Sequence, residues 1–183
     1  MLKRSTILAV LGVMLAGLGP IMTAAGEVKR YYSRDKSFSL ELPGDWQVLE
    51  DITGAAFAAL SPPSGPADGY RENVSVVYED LPAGETLAGY FARTQAALRT
   101  AGGDLQEHGS GRLVIDGVSA QWFAFTRRIG NANAMVILYM LLNQGRVYVI
   151  SCSAAPDEFL SFGPLFEKMA LSFRVESART PGQ

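Results

Sequence analysis

Eight consecutive apolar residues, MVILYMLL from Met135 to Leu142, constrain this chain more than any other stretch. Successive side chains of a strand point to opposite faces, so a strand that is apolar on both faces must be covered on both. The run therefore demands a central place in a sheet and apolar material on each side. Its surroundings supply a meander. Segments Asp104 to His108, Arg112 to Ile115, Val118 to Arg128, Ala134 to Leu142 and Arg146 to Cys152 alternate with turns at Asp116-Gly117, Gly130-Asn131 and Asn143-Gln144-Gly145.

Two amphipathic segments can provide the covers. From Thr86 to Ala101, Leu87, Tyr90, Phe91, Thr94, Ala97 and Leu98 recur at intervals of three and four, Arg93, Gln95 and Arg99 take the other side, and Thr86 can cap the start. The second segment opens at Pro156, places Asp157 and Glu158 in its first turn, and carries Phe159, Phe162, Phe166, Met169 and Phe173 as a stripe, with a kink expected at Gly163-Pro164. Upstream, Tyr31 to Ser33, Phe38 to Leu42, Trp46 to Leu49, Gly54 to Ser61 and Asn73 to Tyr78 read as strands. SPPSGPADGYRE, Ser61 to Glu72, cannot sustain a helix or a central strand and reads as the one long loop. The expected fold class is α+β, one antiparallel β-sheet flanked by helices in an αβα sandwich.

PGDW, Pro43 to Trp46, is read as a corner: proline ends one strand, glycine permits a tight bend, aspartate bonds the local backbone, and Trp46 is a core ring. The first residues have a different character. Lys3 and Arg4, the apolar run Ile7 to Leu18 and the small residues Thr23-Ala24-Ala25 form a signal-peptide pattern, with cleavage expected between Ala25 and Gly26. An uncleaved anchor is the alternative. Residues 1–25 are thus assigned to a signal peptide, 26–175 to a single domain, and 176–183 to a polar tail. The destination implied is periplasmic or secreted, with no integral membrane segment once the signal is removed.

Charge narrows the partners. The formal net charge is −2, and loss of Lys3 and Arg4 takes it to about −4, opposite in sign to what a polyanion attracts. Nucleic acid is therefore a poor partner. Cys152 is the single cysteine, so no intramolecular disulfide can form, and its strand-like setting RVYVISCSA favours a buried small hydrophobe. His108 is the single histidine. A hydrolase would have to combine it with Ser110 or Cys152, yet QEHGSGR lacks the Gly-x-Ser-x-Gly setting of a strand-to-helix nucleophile turn.

One histidine and one cysteine do not make a zinc site, the acidic pairs Glu79-Asp80 and Asp157-Glu158 lack calcium-loop spacing, and neither glycine-rich nucleotide motif is present. No catalytic, metal or cofactor residues are assigned, and no cofactor is implied. The candidate contact residues are Tyr70 and Arg71 in the long loop and Arg127 and Arg128 at a strand end, because aromatics and arginines on exposed loops are the material of recognition sites.

In chain order, FSLELPGDWQV, NVSVVYEDLP, TLAGYFARTQAAL, LVIDGVSAQWFAF, GRVYVISCSAAPDEF and LFEKMALSF resemble the PsbP-like family, over about Tyr31 to Phe173. That family includes the photosystem II extrinsic protein PsbP, DcrB-type bacterial envelope proteins and a nuclear Ran-binding relative. The resemblance implies an αβα sandwich and a protein that binds or assists other proteins without catalysing a reaction. It brings no catalytic set to carry across. The chain departs from the DcrB-type pattern in lacking a lipid-attachment cysteine, and it offers no match to manganese or calcium handling. The expectation is an exported, non-enzymatic envelope protein acting as adaptor, chaperone or assembly factor for another envelope protein. A small-ligand or lipid carrier is the alternative, ahead of a hydrolase.

Overall fold

The computed structural model describes residues 27–176 apart from 36, 50, 51, 53, 66, 67, 102 and 103. The expected signal peptide with its Ala25–Gly26 junction, and the tail from 177, lie outside them. Among the described residues ten strands and two helices follow one another: β1 (Val28–Tyr32), β2 (Phe38–Pro43), β3 (Gln47–Leu49), β4 (Phe57–Leu60), β5 (Asn73–Asp80), α1 (Leu87–Thr100), β6 (Gln106–Ile115), β7 (Val118–Ile129), β8 (Ala132–Asn143), β9 (Arg146–Ala154), α2 (Phe159–Ser172) and β10 (Arg174–Val175).

The strands do not form the single sheet expected. Seven make a large antiparallel sheet in the order β3-β4-β5-β9-β8-β7-β6, and three make a small one in the order β1-β2-β10. The corner at Pro43-Gly44-Asp45 separates them, passing the chain from β2 in one sheet to β3 in the other. Alternation in a sequence shows that a strand has an inner face; it does not show which sheet the strand joins.

Both faces of the large sheet are covered, as Met135–Leu142 requires. Val136, Leu138 and Met140 of β8 pack with Val147, Val149, Phe123 and Phe125 beneath Tyr90 and Leu98 of α1. Tyr139 and Leu141 face the other way, with Val76, Tyr148, Ile150 and Cys152, beneath Phe166, Met169 and Ala170 of α2 and Phe38, Leu40 and Leu42 of the small sheet. The second cover is therefore part helix and part sheet. Trp46 is buried at the corner, its ring 6.5 Å from both Phe162 and Phe166.

Local chemistry explains the ends of the elements. The Thr86 hydroxyl accepts the Gly89 amide at 3.1 Å and caps α1. At the hairpins, Asp116 and Gly117 both have positive φ, as do Gln144 and Gly145, the left-handed pairs that two-residue hairpin turns need.

Two sequence expectations are corrected. The segments read as separate strands around Gly109-Ser110-Gly111 are one strand, β6, with a register shift between Glu107 and Gly109. The half-buried Trp122 ring lies against both glycines, where added β-carbons would come within 3.3 and 2.6 Å of it, so these glycines receive a neighbouring strand's indole instead of ending a strand. Pro156, Asp157 and Glu158 form a turn before α2, and the Ser161 and Phe162 amides bond the Glu158 carbonyl where the helix starts. Pro164 sits inside α2, which runs unbroken from Phe159 to Ser172; the carbonyl deprived of an amide partner is that of Leu160, whose side chain is exposed.

Near the β1–β2 turn the Asp35 carboxylate accepts from the Ser33 and Ser37 hydroxyls at 2.8 Å, from the Ser37 amide at 3.1 Å, and from the Tyr78 hydroxyl. Partial burial opposes its charge, but these donors outweigh burial and hold the carboxyl at about 2, below the ordinary 3.8. A depressed folded pKa means stability that is present above about pH 4 and lost as pH falls towards 2. The melting temperature of the wild type should fall more steeply across that window than that of Asp35→Asn, which should start lower and vary less. Parallel thermal melts from pH 5 to pH 2 check the difference.

Candidate functional site

The two surfaces singled out in the sequence meet at one end of the large sheet. β5 begins there, β9 ends there, and β7 turns into β8 there, so residues 61–65 and 68–72, the turn at Gly130-Asn131 and the connection Ala155–Glu158 become neighbours. Together with Phe162 they enclose an open cleft of about 580 Å³.

One wall is a loop fixed by its own hydrogen bonds. The Tyr70 amide donates to Asp68 at 3.1 Å and the Ser64 amide to the other oxygen of the same carboxylate at 2.8 Å. The Tyr70 hydroxyl donates to Ser153 Oγ at 2.8 Å, and that hydroxyl donates to Asn73 Oδ1 at 3.0 Å. Arg71 gives Nε to the Ser61 carbonyl at 2.6 Å and Nη1 to Gln47 at 3.0 Å. A loop held at so many points is preorganised, which lowers the ordering cost of binding.

Tyr70 and Arg71 are therefore half-buried supports of the cleft wall, not freely exposed side chains. Burial pushes the Tyr70 hydroxyl above its ordinary range. Arg127 is half-buried on β7, and exposed Arg128 directs Nε to the Gly130 carbonyl at 3.3 Å beside the turn that borders the cleft.

The cleft is acidic. Glu72 is buried and accepts the Ser61 hydroxyl at 2.8 Å. Burial pushes its carboxyl up, as do the charges of Asp68 and Glu158, against the lowering effect of its hydrogen bonds. Asp157 and Glu158 are exposed on the opposite wall, and their side chains have no hydrogen bond or ion pair among the described residues. Sequence reasoning had placed these two carboxylates in the first turn of a helix; the turn before α2 instead presents them to the long loop. No sequence signal joins positions near 68, 132 and 157, because only the strand order brings them together.

The groups considered for catalysis are not assembled. His108 Nε2 lies 2.6 Å from Thr126 Oγ1, its one hydrogen bond among the described residues, and it does not engage Ser110. Cys152 is on β9, three strands from β6, a separation of about 14 Å at the usual strand spacing. Cys152 is fully buried, and burial drives its thiol far above the ordinary range, so it is not a thiolate nucleophile. A thiol reagent at pH 8 should leave Cys152 unmodified in the folded protein and modify it stoichiometrically in denaturant, as intact mass would show. Among the described residues no cluster of His, Cys, Asp and Glu is placed to hold a metal ion, and no helix is long and apolar enough to cross a membrane.

No protein-family model and no curated protein sequence matches the chain. Solved structures do. Cyanobacterial PsbP (CyanoP) from Synechocystis sp. PCC 6803 superposes with a TM-score of 0.60 at 18% identity, over 87% of this chain and 98% of that one. LpqN, involved in cell envelope biogenesis of Mycobacterium tuberculosis, gives 0.62 at 16% identity over 82% and 91%. The Ran-binding protein Mog1p of Saccharomyces cerevisiae gives 0.56 at 9% identity over 82% and 96%. Such identities carry the fold and not the chemistry. Its two antiparallel sheets and two helices give this chain the PsbP-like fold.

Proposed function

We propose that the protein is an exported, non-enzymatic adaptor or assembly factor of the cell envelope, which binds another envelope protein through the acidic cleft at the end of its large sheet. The observation that carries this reading is the preorganised cleft of about 580 Å³ with two exposed carboxylates, Asp157 and Glu158, that have no partner within the described residues. Carboxylates so placed favour a partner segment bearing Lys or Arg, which they can bind by charge-assisted hydrogen bonds. The separation of His108 from Cys152 supports a binding role over hydrolysis. So do two proteins that share the fold, one a Ran-binding protein and the other involved in envelope biogenesis.

The signal-peptide pattern of the residues before Gly26 supports export to the periplasm or outside the cell. A photoreactive residue at exposed Asn133, on the cleft rim, should capture one dominant protein in intact cells. The protein recovered in that adduct should begin at Gly26. Joint replacement Asp157→Lys and Glu158→Lys should remove the adduct.

A further inference from the structure

A second cleft, of about 420 Å³, lies between α2 and the β6-β7-β8 part of the large sheet. Its volume is within the range of small-molecule sites, about 300–1,000 Å³. Leu113, Ile137 and Phe159 give it apolar walls, and the Trp122 ring, seated on Gly109 and Gly111, adds a broad flat one. The two glycines matter here because a β-carbon at Gly111 would come within 2.6 Å of the indole and displace it, and one at Gly109 would press on it at 3.3 Å.

One polar group marks the cleft. Tyr139 is only 4% exposed, yet its hydroxyl makes no hydrogen bond to any described residue, and the side chain lines the cleft. The hydroxyl opens into the cleft, where it is a donor free to meet an acceptor on a molecule that enters. Burial, with the nearby Cys152 and Glu167, keeps this hydroxyl protonated and therefore able to donate. At the rim stand Arg112 and Glu167, both exposed and neither engaged in a hydrogen bond or ion pair among the described residues. These two rim charges are opposite in sign and cancel, so the cleft carries no net charge to draw in either an anion or a cation.

We infer that this cleft is a binding site for an uncharged small molecule with a flat apolar body, stacked on Trp122, and a carbonyl-type acceptor that takes the Tyr139 hydroxyl hydrogen bond. It is separate from the acidic cleft and does not depend on the adaptor reading. Prodan, a neutral naphthyl ketone whose emission reports both polarity and hydrogen bonding, is a suitable probe. Titrated with the purified protein it should show saturable, blue-shifted fluorescence with a Kd of about 10–100 µM.

Tyr139→Phe removes only the oxygen and should weaken binding about five-fold, with a further blue shift of the bound probe as its carbonyl loses the donor. Gly163→Leu should fill the cleft and weaken binding more than about ten-fold, since a β-carbon there meets only the Phe159 ring at 3.7 Å. The anionic naphthalene sulfonate ANS should bind less tightly than prodan. Absence of saturable binding, or unchanged prodan affinity in Tyr139→Phe with an unchanged melting temperature, would overturn the assignment. The phenylalanine variant decides the matter even if Gly163→Leu does not fold.

Discussion

Replacement of Phe38 by alanine is expected to lower the unfolding free energy by about 3–5 kcal/mol, the range for truncating a buried phenylalanine. Phe38 is fully buried and joins three parts of the molecule. It extends from β2, stacks on Phe173 at 5.4 Å between ring centroids at the end of α2, and meets Phe57, Tyr78 and Tyr148 of the large sheet edge-on at 6.4–6.5 Å. Removing the ring leaves a cavity whose walls belong to separate elements, each anchored by its own backbone hydrogen bonds, so collapse is incomplete. A domain of this size is stable by about 5–15 kcal/mol, and the loss should move the urea midpoint far towards zero. Tyr32→Ala, at an exposed position on β1, should stay within about 0.5 kcal/mol. Similar midpoints for the two variants would show that the small sheet is not welded to the core through Phe38.

The second large effect is expected at Gly44. Its amide donates to the Glu27 carbonyl at 2.7 Å, and a β-carbon added to it would lie 2.6 Å from that same oxygen. The obstruction is backbone, next to the Val28–Pro43 register pair of β1 and β2, so it cannot swing aside as a side-chain tip would. Gly44→Ala should cost about 2–3 kcal/mol by overpacking. Gly65→Ala, where nothing lies within 4 Å of the added carbon, should be close to neutral. Chemical denaturation of the pair gives the comparison, and equal midpoints would refute the close-approach argument.

The legible parts of this fold were those fixed by neighbours in sequence. Asp116-Gly117 announces its hairpin because Asp and Gly are among the few residues that readily take left-handed backbone, and Gly145 marks the next turn, where Gln144 takes that conformation as well. The apolar run Met135–Leu142 announces a doubly covered strand, and the spacing of Tyr90, Thr94 and Leu98 announces the buried face of α1. Trp46 was legible as a core ring because a corner directly precedes it.

What escaped was set by distant partners. Phe38, Leu40 and Leu42 alternate in the same way whichever sheet their strand enters. Gly109 and Gly111 look like a turn until Trp122 is found on top of them. Tyr70 and Arg71 look like exposed recognition residues until Ser153, Ser61 and Gln47 take their polar atoms. The candidate site followed the same rule. The region was indicated by the loop and by Arg128, but Asp157 and Glu158 join it only through the path of β9 into α2.

The most direct measurement of the binding role is photocrosslinking in intact cells from Asn133, with Ser119 as an exposed control at the opposite end of the sheet. The account predicts one dominant protein adduct from Asn133, none from Ser119, and loss of the adduct when Asp157 and Glu158 are reversed to lysine. No protein adduct at Asn133, or the same adduct from both positions regardless of the charge reversal, would contradict it.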